Sequence, residues 1–415
     1  MEPPPDSQPA CLKAAVGLLA AFLFVLPFSS SAALRNAFLG LAVLALACAA
    51  AKGALARPRL PPWRVLVPLL AWSAWCLASV AWSVDPAYSR GELRPGLLYP
   101  LIAFLAFFAA TASLETMDRW AWSLSAGLAG LGIAAVGEVV LHGWWDPQRW
   151  HGDVGFYATH VVLAMPLLAW AFLRAAPGAL LARTALAASA LLTLVATSWN
   201  DNRIAWIALA AMTVLAAILL RERLAGPRRA WILGGTAAAV LAFAALFLLA
   251  VEQRAERLQG TEFAEEAQLA HDPRPALWDY AARRHGEAPW AGFGYGREIL
   301  RLGFRTGVTP GVDNRMHTHA HNTPVNVLLQ GGIVGLALFA WMVAALVREM
   351  AKGLRAGDGR RLAAVLGLTL VAGFAIRNMT DDFLVRHNAL LAWSLAGAVL
   401  GALRGGGATS ARTPA

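Results

Sequence analysis

The run LGGTAAAVLAFAALFLLAV, residues 233–251, carries no charged side chain across 19 positions. A helix rises 1.5 Å per residue, so about 20 apolar residues cross a hydrocarbon layer roughly 30 Å thick. Working outward from this run, which belongs to a candidate span at 230–251, eleven more stretches of similar length and composition appear, at 13–29, 33–51, 64–82, 96–113, 120–141, 155–173, 179–198, 203–220, 322–347, 362–380 and 387–403. The pattern predicts an all-α polytopic membrane protein with about 12 transmembrane helices.

Composition points the same way. Of 415 residues, 58% are hydrophobic and 14% charged, against roughly a quarter charged in a soluble domain, and the mean hydropathy is +0.54. The net charge of +10 comes from arginines scattered over short loops, not gathered in one stripe, which argues against a nucleic-acid partner. Cys11, Cys48 and Cys76 lie in or beside apolar runs without metal-ligand or framework spacing and read as small apolar residues. The first span follows the acidic, Pro-rich MEPPPDSQPA and lacks a basic leader, so it reads as retained rather than cleaved.

The resulting layout is a disordered N-terminus at 1–10, nine helices over 11–251, one large helical loop at 252–321, three helices over 322–403 and a disordered tail at 404–415. With the N-terminus inside, 19 Lys and Arg fall on the inner loops and 7 on the short outer ones. Both termini are therefore expected in the cytoplasm, with the large loop outside. All nine histidines then lie at or near the outer face.

Within the loop, EQRAERLQGTEFAEEAQ is helix-compatible. The stretch from Arg274, set between Pro273 and Pro275, reads as an amphipathic helix with Leu277, Tyr280 and Ala281 on one side. GFGYG, residues 292–296, follows no strand and lacks the Lys-Ser/Thr of a phosphate loop, so it reads as a tight turn between helices. REILRLGFR then places Arg297, Arg301 and Arg305 on one face of a helix, expected to be a solvated or headgroup-facing edge. Arg203 opens a span after Asn-Asp-Asn, against the helix dipole unless an anion sits there; pairing with Asp201 is the bland alternative. Arg377, Asp381, Asp382 and Arg386 form a compact outer turn for which internal pairing is expected, and Glu138 is an acid inside the fifth span that fits an internal hydrogen bond or a role equally well.

The most specific stretch is MHTHAHNTPVNVLLQGGIVGL, residues 316–336, with His317, His319 and His321 in alternation. A metal would want a carboxylate nearby and the sequence offers only Asp313, so no metal is assigned. A neutral imidazole at the mouth of a span suits general-base work. His321-Asn322 followed after nine residues by Gly332-x-x-Gly335-Leu336 resembles the histidine signature of the O-antigen ligases, membrane enzymes that transfer O-antigen polysaccharide onto lipid A–core. Trp82-Ser83-Val84-Asp85-Pro86-x-x-Ser89, Arg203 before Ile207, and Arg274-Trp278 with Gly292-x-Gly294-x-Gly296 resemble further blocks of that family.

The resemblance implies a GT-C-like fold with a periplasmic loop in the bacterial inner membrane. It also implies an undecaprenyl-diphosphate-linked O-antigen donor, a lipid A–core acceptor and an inverting, metal-independent transfer that needs no cofactor. His321 would be the base and Arg203 and Arg274 would bind the donor diphosphate, with His319, Asn322, Arg377 and Asp382 in support. O-antigen polymerases and protein O-oligosaccharyltransferases share much of the pattern. An anion transporter is the competing class, but no internal repeat is evident.

Overall fold

The computed structural model describes residues 9–53, 60–176, 178–200, 202–221, 227–259, 272–308 and 316–405. Among them all regular structure is helical: α1 (Ala10–Val25), α2 (Ala32–Ala51), α3 (Trp63–Ala78), α4 (Pro86–Leu93), α5 (Tyr99–Ala110), α6 (Leu114–His142), α7 (Pro147–Trp150), α8 (Val154–Arg174), α9 (Leu180–Ser198), α10 (Arg203–Leu220), α11 (Pro227–Leu258), α12 (Arg274–His285), α13 (Arg301–Val308), α14 (Thr323–Lys352), α15 (Asp358–Asn378) and α16 (Arg386–Arg404). Asp201, His271 and Asp313, much of the loop's acidic stretch and most of both terminal segments fall outside the described residues.

A helix stands at each of the twelve expected positions, and ten of these are long and apolar enough to cross a membrane. The other two differ for separate reasons. α1 has only 16 residues, about 24 Å of helix. α16 is 19 residues long but less apolar, and every residue from His387 to Ala402 is buried. It faces protein, so small and polar side chains replace lipid-facing ones. Gly397 and Gly401, one turn apart, lie where a Cβ would overlap the carbonyls of Phe104 and Phe108 on α5, the close approach that small-xxx-small pairs permit.

Several helices that begin on one end of the bundle start on Asp or Asn caps. The side chains of Asp85, Asp153, Asn202 and Asn322 accept from the N–H groups of Tyr88, Phe156, Ala205 and Val325, satisfying donors that a helix start leaves open. At the same end Glu138 closes the turn after α6 by accepting from Arg149, Trp150 and the N–H of Asp146. Cys11 and Cys48, expected as lone apolar residues, are paired between α1 and α2.

The feature that shapes this end is a break in α14. Gly332 has φ 64°, ψ −166° inside the helix, a conformation essentially reserved for glycine. The break frees carbonyls and N–H groups that lipid cannot satisfy, and the segment after α12 takes them up. Phe293 N–H donates to Leu329 O at 2.8 Å and Gly294 N–H to Gln330 O at 3.0 Å, while Ile333 N–H donates to Pro289 O at 2.8 Å. Trp75 Nε1 caps Gly331 O at 2.9 Å. GFGYG is therefore not a tight turn between helices. It is a spread segment laid across the break, and Gly294, at φ +107°, lies where a Cβ would overlap Ser83. α12 does bury Leu277, Tyr280 and Ala281, as its periodicity predicts.

A Cβ at Gly332 would overlap the Trp290 carbonyl as well as force a side chain into glycine-only space. Gly332→Ala is expected to cost at least about 2 kcal/mol, seen as a lower melting temperature of the purified protein in detergent. An unchanged melting temperature would show that the break is not held by this contact.

Candidate active site

The segment 316–322 is fixed to three helices before it enters α14. Trp278 Nε1 on α12 donates to Ala320 O at 2.8 Å, and Ala320 N–H donates to Asn326 Oδ1 at 3.0 Å. Asn322, besides capping α14, donates from Nδ2 to Met379 O at 3.1 Å beyond α15. His321 sits at φ +47°, a left-handed conformation uncommon for a side chain other than glycine or asparagine. Surrounding bonds over-determine it, and it turns the ring back toward residues 316–319.

His319 and His321 stack with ring centroids 3.9 Å apart, and both face Asp381. His319 Nε2 lies 2.7 Å and His321 Nδ1 3.2 Å from Asp381 Oδ1. Arg297 Nη2 donates to the same oxygen at 2.8 Å, and Asp382 N–H does so at 2.7 Å. Burial alone would push the Asp381 carboxyl up, but His321, His319 and Arg297 together hold it well below the usual carboxylate range. Burial, with the Arg297 charge and His321 beside it, pushes His319 down to about 3, so this imidazole is neutral near pH 7. Arg297 loses some basicity to burial, yet Asp381 and Asp382 raise it overall.

The tautomers follow from the partners. Met316 O, 2.8 Å from His321 Nε2, can only accept, so Nε2 carries a proton and Nδ1 is the nitrogen that faces Asp381. His319 donates from Nε2 to Asp381 and takes the Thr318 hydroxyl, 2.7 Å away, on Nδ1. One layer deeper, Asp382 accepts from Thr323 Oγ1 at 2.9 Å and from Asn326 Nδ2 at 2.9 Å, both on the first turn of α14.

Arg274 Nη1 pairs with Asp272 at 2.6 Å, and its Nε donates to Thr380 O at 3.0 Å, on the strip that presents Asp381. Arg377 is almost wholly buried, donating to Thr159 Oγ1 at 2.9 Å, Asn202 Oδ1 at 2.7 Å and Gly155 O at 3.2 Å, with its guanidinium 4.7 Å from the Phe383 ring. Arg203 follows Asn202 directly and is half-buried.

The structure thus gathers His319, His321, Asn322, Asp382 and Arg274 around residues 378–382. Arg377 and Arg203 lie on the adjoining face, connected through Asn202. Two sequence readings need correction. Arg377, Asp381, Asp382 and Arg386 do not pair among themselves: the acids bond to Arg297, His319 and α14, and Arg386 lies over Phe156. The Arg297, Arg301 and Arg305 stripe does not form, because the helix begins only at Arg301. Arg297 instead turns inward with 16% of its side chain exposed, while Arg301 keeps 58%.

Arg297, expected at an exposed edge, joins this cluster, as do Thr323 and Asn326, which the sequence did not single out. The one available signal was Asn326, one helical turn after Asn322 on the same face. A second imidazole group, His151, His160 and His387, lies behind Phe156 with centroids 4.3 to 6.1 Å apart. Burial pushes His151 down to about 4. Among the described residues, the one His/Cys/Asp/Glu group whose ligand atoms converge, within 4.8 Å, is His319, His321 and Asp381.

The family model described as O-antigen ligase matches residues 188–340, a span holding Arg203, Arg274, Arg297, the paired histidines and the α14 break. An O-antigen ligase of Pseudomonas aeruginosa is 30% identical over 291 residues, covering 66% of this chain and 62% of that protein. Both matches mark the chain as similar to the O-antigen ligase family. The chain matches less than two thirds of the length of that relative. The family match ends before α15, so the Asp381–Asp382 turn enters the site from outside the matched segment.

Asp381→Asn removes the charge opposite half-buried Arg297 and is expected to destabilise by about 2 kcal/mol, less than a fully buried pair because both side chains keep some exposure. Arg297→Gln combined with Asp381→Asn is expected to cost less than the two single changes together, measured by thermal unfolding in detergent. Strict additivity would show that the two groups do not act as a pair.

Proposed function

We propose that this chain is an O-antigen ligase that transfers polysaccharide from an undecaprenyl-diphosphate donor to lipid A–core, in the bacterial inner membrane with the site on the periplasmic face. The observation that carries the reading is His321, whose Nε2 lies 2.8 Å from the Met316 carbonyl and whose Nδ1 lies 3.2 Å from Asp381 Oδ1. Positive-inside loop counting supports the orientation, with both termini cytoplasmic.

The acceptor sugar hydroxyl gives its proton to His321 Nδ1 as its oxygen attacks the anomeric carbon. The bond from that carbon to the phosphate oxygen breaks on the opposite side, and the electron pair leaves on the polyprenyl diphosphate. The configuration inverts. Asp381, 3.2 Å from that nitrogen, offsets the charge of the imidazolium. Arg203 and Arg274 take the growing diphosphate charge, for which a permanently ionised planar fork is suited. Arg274 has spent Nε and Nη1 on Thr380 and Asp272, which orients its remaining Nη2 edge. His319 and Asn322 hold the base in place, and Arg377 and Asp382 fix the two walls that carry the arginines and the motif. No metal or cofactor is required for these steps.

With purified protein, lipid-linked O-antigen and lipid A–core in EDTA, wild type is expected to give a ladder of modified lipopolysaccharide, and His321→Ala to lose about 10²–10⁴-fold in rate at equal expression. Arg203→Lys and Arg274→Lys should also be impaired, since a point charge does not replace the fork. Normal ligation by His321→Ala would remove it as the base. Polymerisation of single repeats without transfer to lipid A–core would reassign the chain as a polymerase.

A further inference from the structure

His319, His321 and Asp381 show a second chemistry. Three side chains from two segments far apart in sequence bring His319 Nε2, His321 Nδ1 and a carboxylate oxygen within 4.8 Å of one another. Each ring's far nitrogen is already bound to an oxygen, His319 Nδ1 to Thr318 Oγ1 at 2.7 Å and His321 Nε2 to Met316 O at 2.8 Å. That outer layer is what metal-ligating imidazoles require, because it fixes the tautomer and aims the inner nitrogen. Asp381 is the carboxylate that sequence spacing could not supply.

We infer that these three residues form a binding site for a divalent cation that prefers imidazole, with zinc the best match. Two nitrogens and one carboxylate oxygen, with a fourth position open to water, are the donor set of open zinc sites. Magnesium and calcium, which want six or more oxygens, fit poorly. Binding requires the two rings, now stacked with a 30° tilt, to splay. It also moves the His319 proton from Nε2 to Nδ1, where it is donated to Thr318 Oγ1, so that the neutral ring offers its Nε2 lone pair. Arg297 can keep Asp381 Oδ1 while the metal takes Oδ2, which accepts from none of the described residues.

The site has a consequence for catalysis. Zinc on His321 occupies the Nδ1 lone pair, so a chain that needs no metal for transfer is inhibited by this one. The inhibition, unlike the binding, rests on the proposed role of His321 as base.

The test uses the full-length protein in detergent. Isothermal titration with zinc is expected to give one site per chain. Cobalt substituted for zinc should show the visible bands of a tetrahedral ion. His319→Gln should weaken zinc binding about 10–100-fold. Should that variant fold poorly, zinc should protect His319 and His321 of wild type from diethylpyrocarbonate, with magnesium giving no protection. No cobalt bands, or unaltered zinc affinity in folded His319→Gln, or absent protection, overturns the site. Transfer should fall at least tenfold at saturating zinc and return on adding EDTA. Stoichiometric zinc binding to these histidines with transfer undiminished upholds the metal site and removes His321 from proton transfer.

Discussion

A helix interrupted in a membrane must hand its freed backbone groups to other partners, and the break at Gly332 sets most of the outer architecture of this chain by that requirement. The partners are the backbone of residues 289–294 and the indole of Trp75. Once that segment is laid across the break its next residues have little freedom, and Arg297 enters the bundle. Asp381 then finds a cation on one side and two imidazoles on the other. An apparently remote glycine thus decides where a guanidinium stands.

The site is built of layers with different tasks. Asp382, Thr323 and Asn326 lock the first turn of α14 to the turn after α15. Above them Asp381 collects donors on a single oxygen, and the stacked imidazoles lie over it. Arg377 binds α15 to α8 and to Asn202, the cap that precedes Arg203, and Arg274 bonds to Thr380 on the same short strip. Neutral His319 beside low-pKa Asp381 gives the cluster less charge than a count of its residues implies.

Much of this was legible in the chain itself. Long apolar runs report their lipid surroundings directly, and the buried face of α12 follows from its period. The motif from His321 to Gly335 pointed to the candidate site, because a polar cluster at the mouth of an apolar span has few structural uses. The partners of that motif were hidden. Asp381 lies 60 residues beyond His321 and meets it only through the fold. Arg297 sits at a spacing that imitates a helical stripe, and one glycine with unusual dihedrals leaves no trace in a periodicity reading. The low hydropathy of α16 likewise records a helix enclosed by protein, which composition alone cannot tell from a weaker span.

That enclosure also bears on how the chain is made. α16 has little affinity of its own for hydrocarbon and gains its place through close backbone contact with α5 along Gly397 and Gly401. It leaves the ribosome after the helices that surround it. Its place in the bundle therefore rests more on packing against helices made before it than on contact with lipid. The His387 end of the same helix meets His151 and His160, so the contact with α5 also brings that imidazole group together.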